Sequence, residues 1–326
     1  MATGSGLDAQ IGLAIEAAFG TFLAPTDFYE FNNEKLDPTV QELKSMPIGA
    51  GRFQKASRVV TFITGGSGTF EVDLVTKGMG KLFKMMFGAV DVQQVDDTDE
   101  YVHTFTPDVN GMRGLSASLQ KGVPAAGSGA IVPLNFVGCK VTQWEIKCDT
   151  DAIAKLTTTW DFKGVDTVAT LATPSYPADA APFTFLDGSL TVGGVAVAAV
   201  KSITLQGANA LATDRRYFGN NKGEQLANGE WAYTGSFDSE FVSRTAYDAW
   251  VNGTQLANVV LTFQSGEIAA GVPYKVVVTM PVIKYTGSAP EISGPDIVQQ
   301  SLPFSVLWNE TDPIISVAYH TTDQTP

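Results

Sequence analysis

One ten-residue pattern occurs twice in this chain, and a chain that carries its own copy is expected to fold as two related units. Residues 68–77 read Gly-Thr-Phe-Glu-Val-Asp-Leu-Val-Thr-Lys, and residues 235–244 read Gly-Ser-Phe-Asp-Ser-Glu-Phe-Val-Ser-Arg. Gly, Phe and Val are identical at three positions, six positions exchange like for like, and only Val72 against Ser239 breaks the pattern. Further matches follow in the same order. Val102-His103-Thr104-Phe105 resembles Val260-Leu261-Thr262-Phe263; Leu115, Ala117 and Leu119 match Val276, Val278 and Met280; Asp151-Ala152-Ile153 matches Asp312-Pro313-Ile314. Small changes of offset between these pairs are what insertions in loops would leave. The proline-bearing stretch 165–182 suits an extended connector. The expected organisation is therefore an N-terminal arm over 1–27, a first β domain over 28–164, a linker over 165–182 and a second β domain over 183–326.

The periodicity is that of strands. It is clearest in Ala154–Lys163, where Leu156, Trp160 and Phe162 share one face. Phe70–Val75, Leu115–Leu119, Val137–Cys148, Ile203–Leu205, Asn258–Phe263, Tyr274–Ile283 and Phe304–Trp308 alternate similarly. Within Val137–Cys148 the apolar phase changes between Val141 and Trp144, which predicts a bulge. Helical spacing is confined to Met79, Leu82, Phe83 and Met86, stopped by Gly88, and to a shorter stretch from Arg244 to Val251 before Asn252-Gly253. Each unit thus reads as a β-sandwich or barrel with one short flanking helix. Trp144, Trp160 and Trp308 are expected in the core.

Chemistry is sparse. His103 and His320 are the only histidines, and neither has a second ligand at metal spacing. Gly65-Gly66-Ser67-Gly68 lacks the lysine of a phosphate loop and reads as a turn. The acidic run Asp91, Asp96, Asp97, Asp99 and Glu100 does not match a calcium loop and reads as a solvated one. Cys139 and Cys148 are read as small core residues. No catalytic, metal or cofactor site is expected. With a net charge of −13, the chain is unsuited to neutralising nucleic-acid phosphates. No apolar run has the length of a membrane span, and residues 1–20 lack the basic start of a secretory signal, so assembly in the cytosol is expected. One basic patch stands out: Lys44, Arg52, Lys55 and Arg58, with Phe53 among them. It reads as a surface that complements an acidic face on a neighbouring subunit.

The opening Gly6-Leu7-Asp8-Ala9-Gln10-Ile11-Gly12, with Glu16 and Phe19-Gly20-Thr21, resembles the start of major tail tube proteins of long-tailed, non-contractile (siphovirus-type) bacteriophages. So do Gly68–Asp73 running into Gly78-Met79-Gly80-Lys81-Leu82-Phe83, and Met280-Pro281-Val282-Ile283 followed by Gly294-Pro295-Asp296 and Phe304. The resemblance implies subunits whose sheets join into a continuous inner tube, with rings stacked along a virion tail and double-stranded DNA passing through the lumen without specific binding. It implies tape measure, tail terminator and distal tail proteins as partners. Six single-domain subunits close a ring in such proteins. A duplicated chain needs three, giving a pseudo-hexamer, with hexameric rings of this chain as the alternative. The acidity then suits a lumen that repels phosphate. Residues 41–60, with Lys44, Arg52, Phe53, Lys55 and Arg58, are the candidate inter-ring contact. The competing readings are a β-sandwich receptor- or carbohydrate-binding protein and a head–tail connector.

Overall fold

The alternating segments do form strands, because each buries one apolar face and shows a polar one to solvent. In a computed structural model that describes residues 4–49, 51–96, 98–219, 222–287, 289–292 and 294–326, the first ten strands are β1 (Gln10–Ile15), β2 (Asp27–Tyr29), β3 (Phe31–Lys44), β4 (Val59–Asp73), β5 (Gly88–Gln94), β6 (Tyr101–Pro107), β7 (Ala117–Pro124), β8 (Ile131–Asp149), β9 (Lys155–Phe162) and β10 (Gly164–Asp166). Eight follow: β11 (Gly188–Val192), β12 (Val195–Ala196), β13 (Val200–Ala208), β14 (Ala232–Glu240), β15 (Gln255–Ala269), β16 (Val272–Tyr285), β17 (Gln299–Leu307) and β18 (Ser316–Thr321). Helix α1 (Gly80–Phe87) follows β4, and α2 (Thr245–Val251) follows β14. The protein is mainly β, and the 18 strands among the described residues belong to one hydrogen-bonded network.

The two sets of strands share one pairing scheme. β1 pairs with β2 and β7, and β11 pairs with β12 and β15. β4 lies between β3 and β9 as β14 lies between β13 and β17. β8 gives its first half to β7 and β10 and its far half to β9; β16 distributes itself in the same way among β15, β18 and β17. The local detail repeats too. A bulge separates Phe31 from Asn33 in β3, and another separates Val200 from Ser202 in β13, opposite the matching places on β4 and β14. Both sets open on a 3-10 turn with a capping box, Ser5 with Asp8 and Thr184 with Asp187.

This scheme revises three of the expected matches. Residues 68–77 and 235–244 do occupy equivalent places, β4 and β14 with the loops after them. Val102–Phe105 lies in β6, which pairs with β5 and β18, whereas Val260–Phe263 lies in β15, the partner of β11 and β16. Leu115–Leu119 leads into β7, whose positional equivalent is β15 rather than β16. Asp151–Ile153 precedes β9 and Asp312–Ile314 precedes β18, although β9 corresponds to β17. Alternating apolar residues suit any half-buried strand, so such short matches cannot distinguish one strand from another.

The bulge in β8 lies between Val141 and Gln143, within the expected interval. α1 ends at Gly88, whose φ of 92° suits a residue without Cβ. Gly65–Gly68 is not a turn but the middle of β4, where a Cβ on Gly68 would meet the Lys35 carbonyl at 1.9 Å. Trp144 and Trp160 are buried, yet Trp308 is 63% exposed, its indole N–H donating to the Asp312 carbonyl. Residues 1–27 contain β1, buried against β2 and β7. Residues 165–182 run from β10 across side chains of Gln120 and Asn135. Asp97 of the acidic run and Ala50 of the 41–60 segment lie outside the described residues. Cys139 and Cys148 are buried and unpaired.

The apolar side chains of both sets form one continuous core. Its equivalents correspond in pairs: Phe70 stacks on Trp160 at 5.7 Å between ring centres, and Phe237 meets Phe304 at 6.3 Å. α1 seals the core with Leu82, Phe83, Met85, Met86 and Phe87, while α2 buries only Ala249.

Candidate assembly surface

β3 and β4 continue past the body of the sheet as a two-stranded ribbon. Val40 faces Ile63 and Lys44 faces Val59, beyond a bulge between Pro38 and Val40. Ser45 closes the ribbon by donating its N–H to the Arg58 carbonyl at 3.1 Å, and a 3-10 turn spans Ala56–Arg58. A bare two-stranded ribbon is marginal by itself in water. This one exposes Val40, Leu43, Met46, Ile48, Phe53 and Val60, with Phe53 at 87% and Ile48 wholly exposed. Clustered exposed apolar side chains mark surfaces that meet other proteins.

The expected contact residues fall on this ribbon. Lys44 is half exposed beside the Glu42 carboxylate at 3.1 Å, Arg52, Phe53 and Lys55 are exposed near the tip, and Arg58 is half-buried. The apolar companions Val40, Leu43, Met46, Ile48 and Val60 were missed by the sequence reading. Their alternation looks like that of any strand, and only the structure shows that neither face of the ribbon is covered.

The equivalent connection between β13 and β14 behaves differently. The described residues of 209–231 fold back onto the first set of strands and are held by buried polar groups. Asn209 donates to the carbonyls of Met86 and Val141 at 3.0 and 3.1 Å. The Lys222 ammonium donates to Asp161 at 2.8 Å and to the Phe162 carbonyl at 3.1 Å. Gln225 donates to Asp161 and to the Gly138 carbonyl. Lys140, fully buried, donates to Glu224 at 2.6 Å and to the Met112 carbonyl at 2.7 Å. Burial raises the Asp161 carboxyl above its ordinary value, against the opposing pull of Lys222 and Gln225. Burial also pushes Glu224 up, but Lys140 and the Gly114 N–H outweigh it and hold Glu224 below the usual carboxylate range.

Glu16, His103 and His320 make their contacts within the fold. Glu16 accepts from the Gly20 and Gly138 N–H groups at 2.7 and 2.8 Å and from the Ser116 and Ser118 hydroxyls at 2.6 and 2.9 Å, which ties β1 to β7 and β8. His103 is buried on β6 with Nε2 at 2.8 Å from the Asp323 carbonyl. Burial lowers its pKa from the ordinary 6.5. His320 meets Glu100, a member of the acidic run, at 2.5 Å. No described helix is long and apolar enough to cross a membrane.

Comparison with known proteins adds one match. The model of a family described as phage tail tube protein matches residues 6–306. No curated protein matches the chain.

Proposed function

The chain belongs to the phage tail tube protein family, and from that premise we propose that it is the major tail tube subunit of a long-tailed, non-contractile phage. It is a structural virion protein, not a member of a family known for catalysis. In this reading the chain polymerises into stacked rings whose channel conducts double-stranded DNA during ejection. The observation that carries the polymerising role is the ribbon 40–60, which exposes apolar and basic side chains on a chain of net charge −13. A ribbon of this kind gains a stable conformation by docking on an acidic, apolar-edged face of a copy in the next ring.

The shared pairing scheme supports duplication of one ancestral unit. Three chains then close a ring of six similar positions, and closure removes strand edges that would otherwise template aggregation. Tape measure, terminator and distal tail proteins cap or fill such a tube, and an acidic lumen keeps DNA from sticking. Electron microscopy of the purified protein tests the reading. Rings or tubes with a central channel and three chains per ring are expected; monodisperse monomers at high concentration would overturn it, and a lumen mapped as neutral or basic would remove the charge argument.

A further inference from the structure

Inside the chain, one of the seams between the two sets of strands joins β8 and β13 edge to edge. The far half of β8 pairs with β13, which places Ile146 opposite Leu205 and Lys147 opposite Thr204. Both sides of this seam have equivalents elsewhere in the molecule. Leu36 faces Gly68 as Leu205 faces Gly235, and the neighbouring bulges coincide, so β3 from Phe31 to Pro38 is the equivalent of β13. Among the described residues β4 is the only strand paired with β3. Its outer edge therefore lacks the strand that β13 has.

The missing strand is half prepared at the other end of the chain. Tyr285 faces Phe304 as Val141 faces Trp160. Further on, Glu291 forms an isolated bridge with Gln299 as Lys147 pairs with Lys155. Each residue of the second set lies 144 positions after its counterpart. The chain beyond Tyr285 thus keeps, at Tyr285 and Glu291, the register that β8 keeps along β9, and its described residues from Thr286 to Val298 form no strand. Ala289, Glu291 and Ile292 are exposed there.

We propose that this segment of one copy becomes a strand against the outer edge of β3 in the next copy, repeating between chains the seam that β8 and β13 make within one. The proposal rests on the tube-subunit reading and names the contact that closes its ring. The register sets Lys35 opposite Glu291 and Leu36 opposite Pro290. Within its own chain the Lys35 ammonium is 4.0 Å from Asp37, with both side chains largely exposed; a facing Glu291 adds a second carboxylate. Leu36 turns its backbone to the outer edge, its N–H donating to Glu34 at 3.2 Å and its carbonyl accepting from Lys121 at 3.5 Å. A proline opposite offers a carbonyl acceptor but no donor. The Lys121 ammonium already supplies the donor that Pro290 lacks.

The outward turn of Leu36 puts Lys35 and Glu291 at a non-hydrogen-bonded position, where facing side chains come closest. That makes them a suitable pair for cross-linking. Both native cysteines are buried, so introduced ones report alone. The double variant Lys35→Cys, Glu291→Cys, oxidised after assembly, is expected to give an inter-chain disulfide and a ladder of covalent oligomers that stops at the closed ring. Thr204→Cys with Lys147→Cys is the control, forming its disulfide inside one chain. Rings or tubes that yield no inter-chain disulfide from Lys35→Cys with cysteine at 289, 291 or 292 would overturn the seam and leave the tube reading standing. Dispersed chains that neither assemble nor cross-link would overturn both.

Discussion

The ribbon 40–60 and the loop 209–231 leave equivalent strands in opposite conditions. The ribbon carries its apolar side chains into solvent, while the loop lies against the first set of strands through Lys222, Gln225, Glu224 and Asn209. The same topological position can therefore serve either to hold a chain together or to reach outside it. Which one results depends on whether the connection finds partners within its own chain. The loop has found them; the ribbon, as proposed, finds its own in another copy.

The contrast is tested most severely by deletion. Replacing residues 45–58 with a tight Asn-Gly turn is expected to leave a folded protein, by circular dichroism and thermal melting, that forms no tubes under the microscope. Replacing 213–227 is expected to unfold or strongly destabilise the chain, because it leaves the buried Lys140 and Asp161 without Glu224 and Lys222, their partners of opposite charge. If the ribbon deletion assembled normally, the contrast would be wrong.

At the scale of single residues, Lys222→Ala leaves Asp161 buried without its cation and is expected to cost about 3 kcal/mol in chemical denaturation. Phe53→Ser and the double change Arg52→Glu, Lys55→Glu act on exposed side chains. They are expected to shift stability by less than about 0.5 kcal/mol while raising the concentration needed for polymerisation, measured by sedimentation. Equal stability losses for Lys222→Ala and Phe53→Ser would erase the distinction between the two connections.

The smallest effect concerns pH at the β6–β18 pairing. Burial disfavours the charged form of His103, so its folded-state pKa lies below that of the unfolded chain. The associated stability is present above the ordinary value of 6.5 and is lost as pH falls toward the folded pKa. Thermal melts from pH 7.5 to 5 should show this decline, and His103→Gln should flatten it. A wild-type melting temperature that rises across that interval would contradict the assignment.

The sequence exposed those parts of the fold where a specific side chain is required. Gly68 and Gly235 recur because a Cβ would strike the Lys35 carbonyl at 1.9 Å or the Thr204 carbonyl at 2.8 Å. α1 was legible because its stripe of large apolar residues ends at a glycine. Other equivalents, such as Ile11 with Leu190, Leu119 with Val259 and Val141 with Tyr285, share only apolar character, since burial asks nothing more of them. They were invisible, and chance similarities between alternating strands took their place. The anchors of the 209–231 loop were hidden for another reason. Lys222 and Asp161 are 61 residues apart, and Lys140 and Glu224 are 84 apart, so no local spacing announces either pair. Of the assembly surface, the basic residues were visible as an anomaly of charge, and the apolar ones were not.

The hairpin β5–β6 sits between α1 and β7, whereas α2 is followed by β15 after only Asn252–Thr254. Through β6 it pairs with β18, so the two sets of strands are stitched by a second seam besides the one between β8 and β13. A boundary between separate chains, made as proposed, has no such extra stitch. A closed ring would then alternate double-sewn and single-sewn joints. Under outward pressure or bending, it would part along chain boundaries first, releasing whole subunits instead of torn ones.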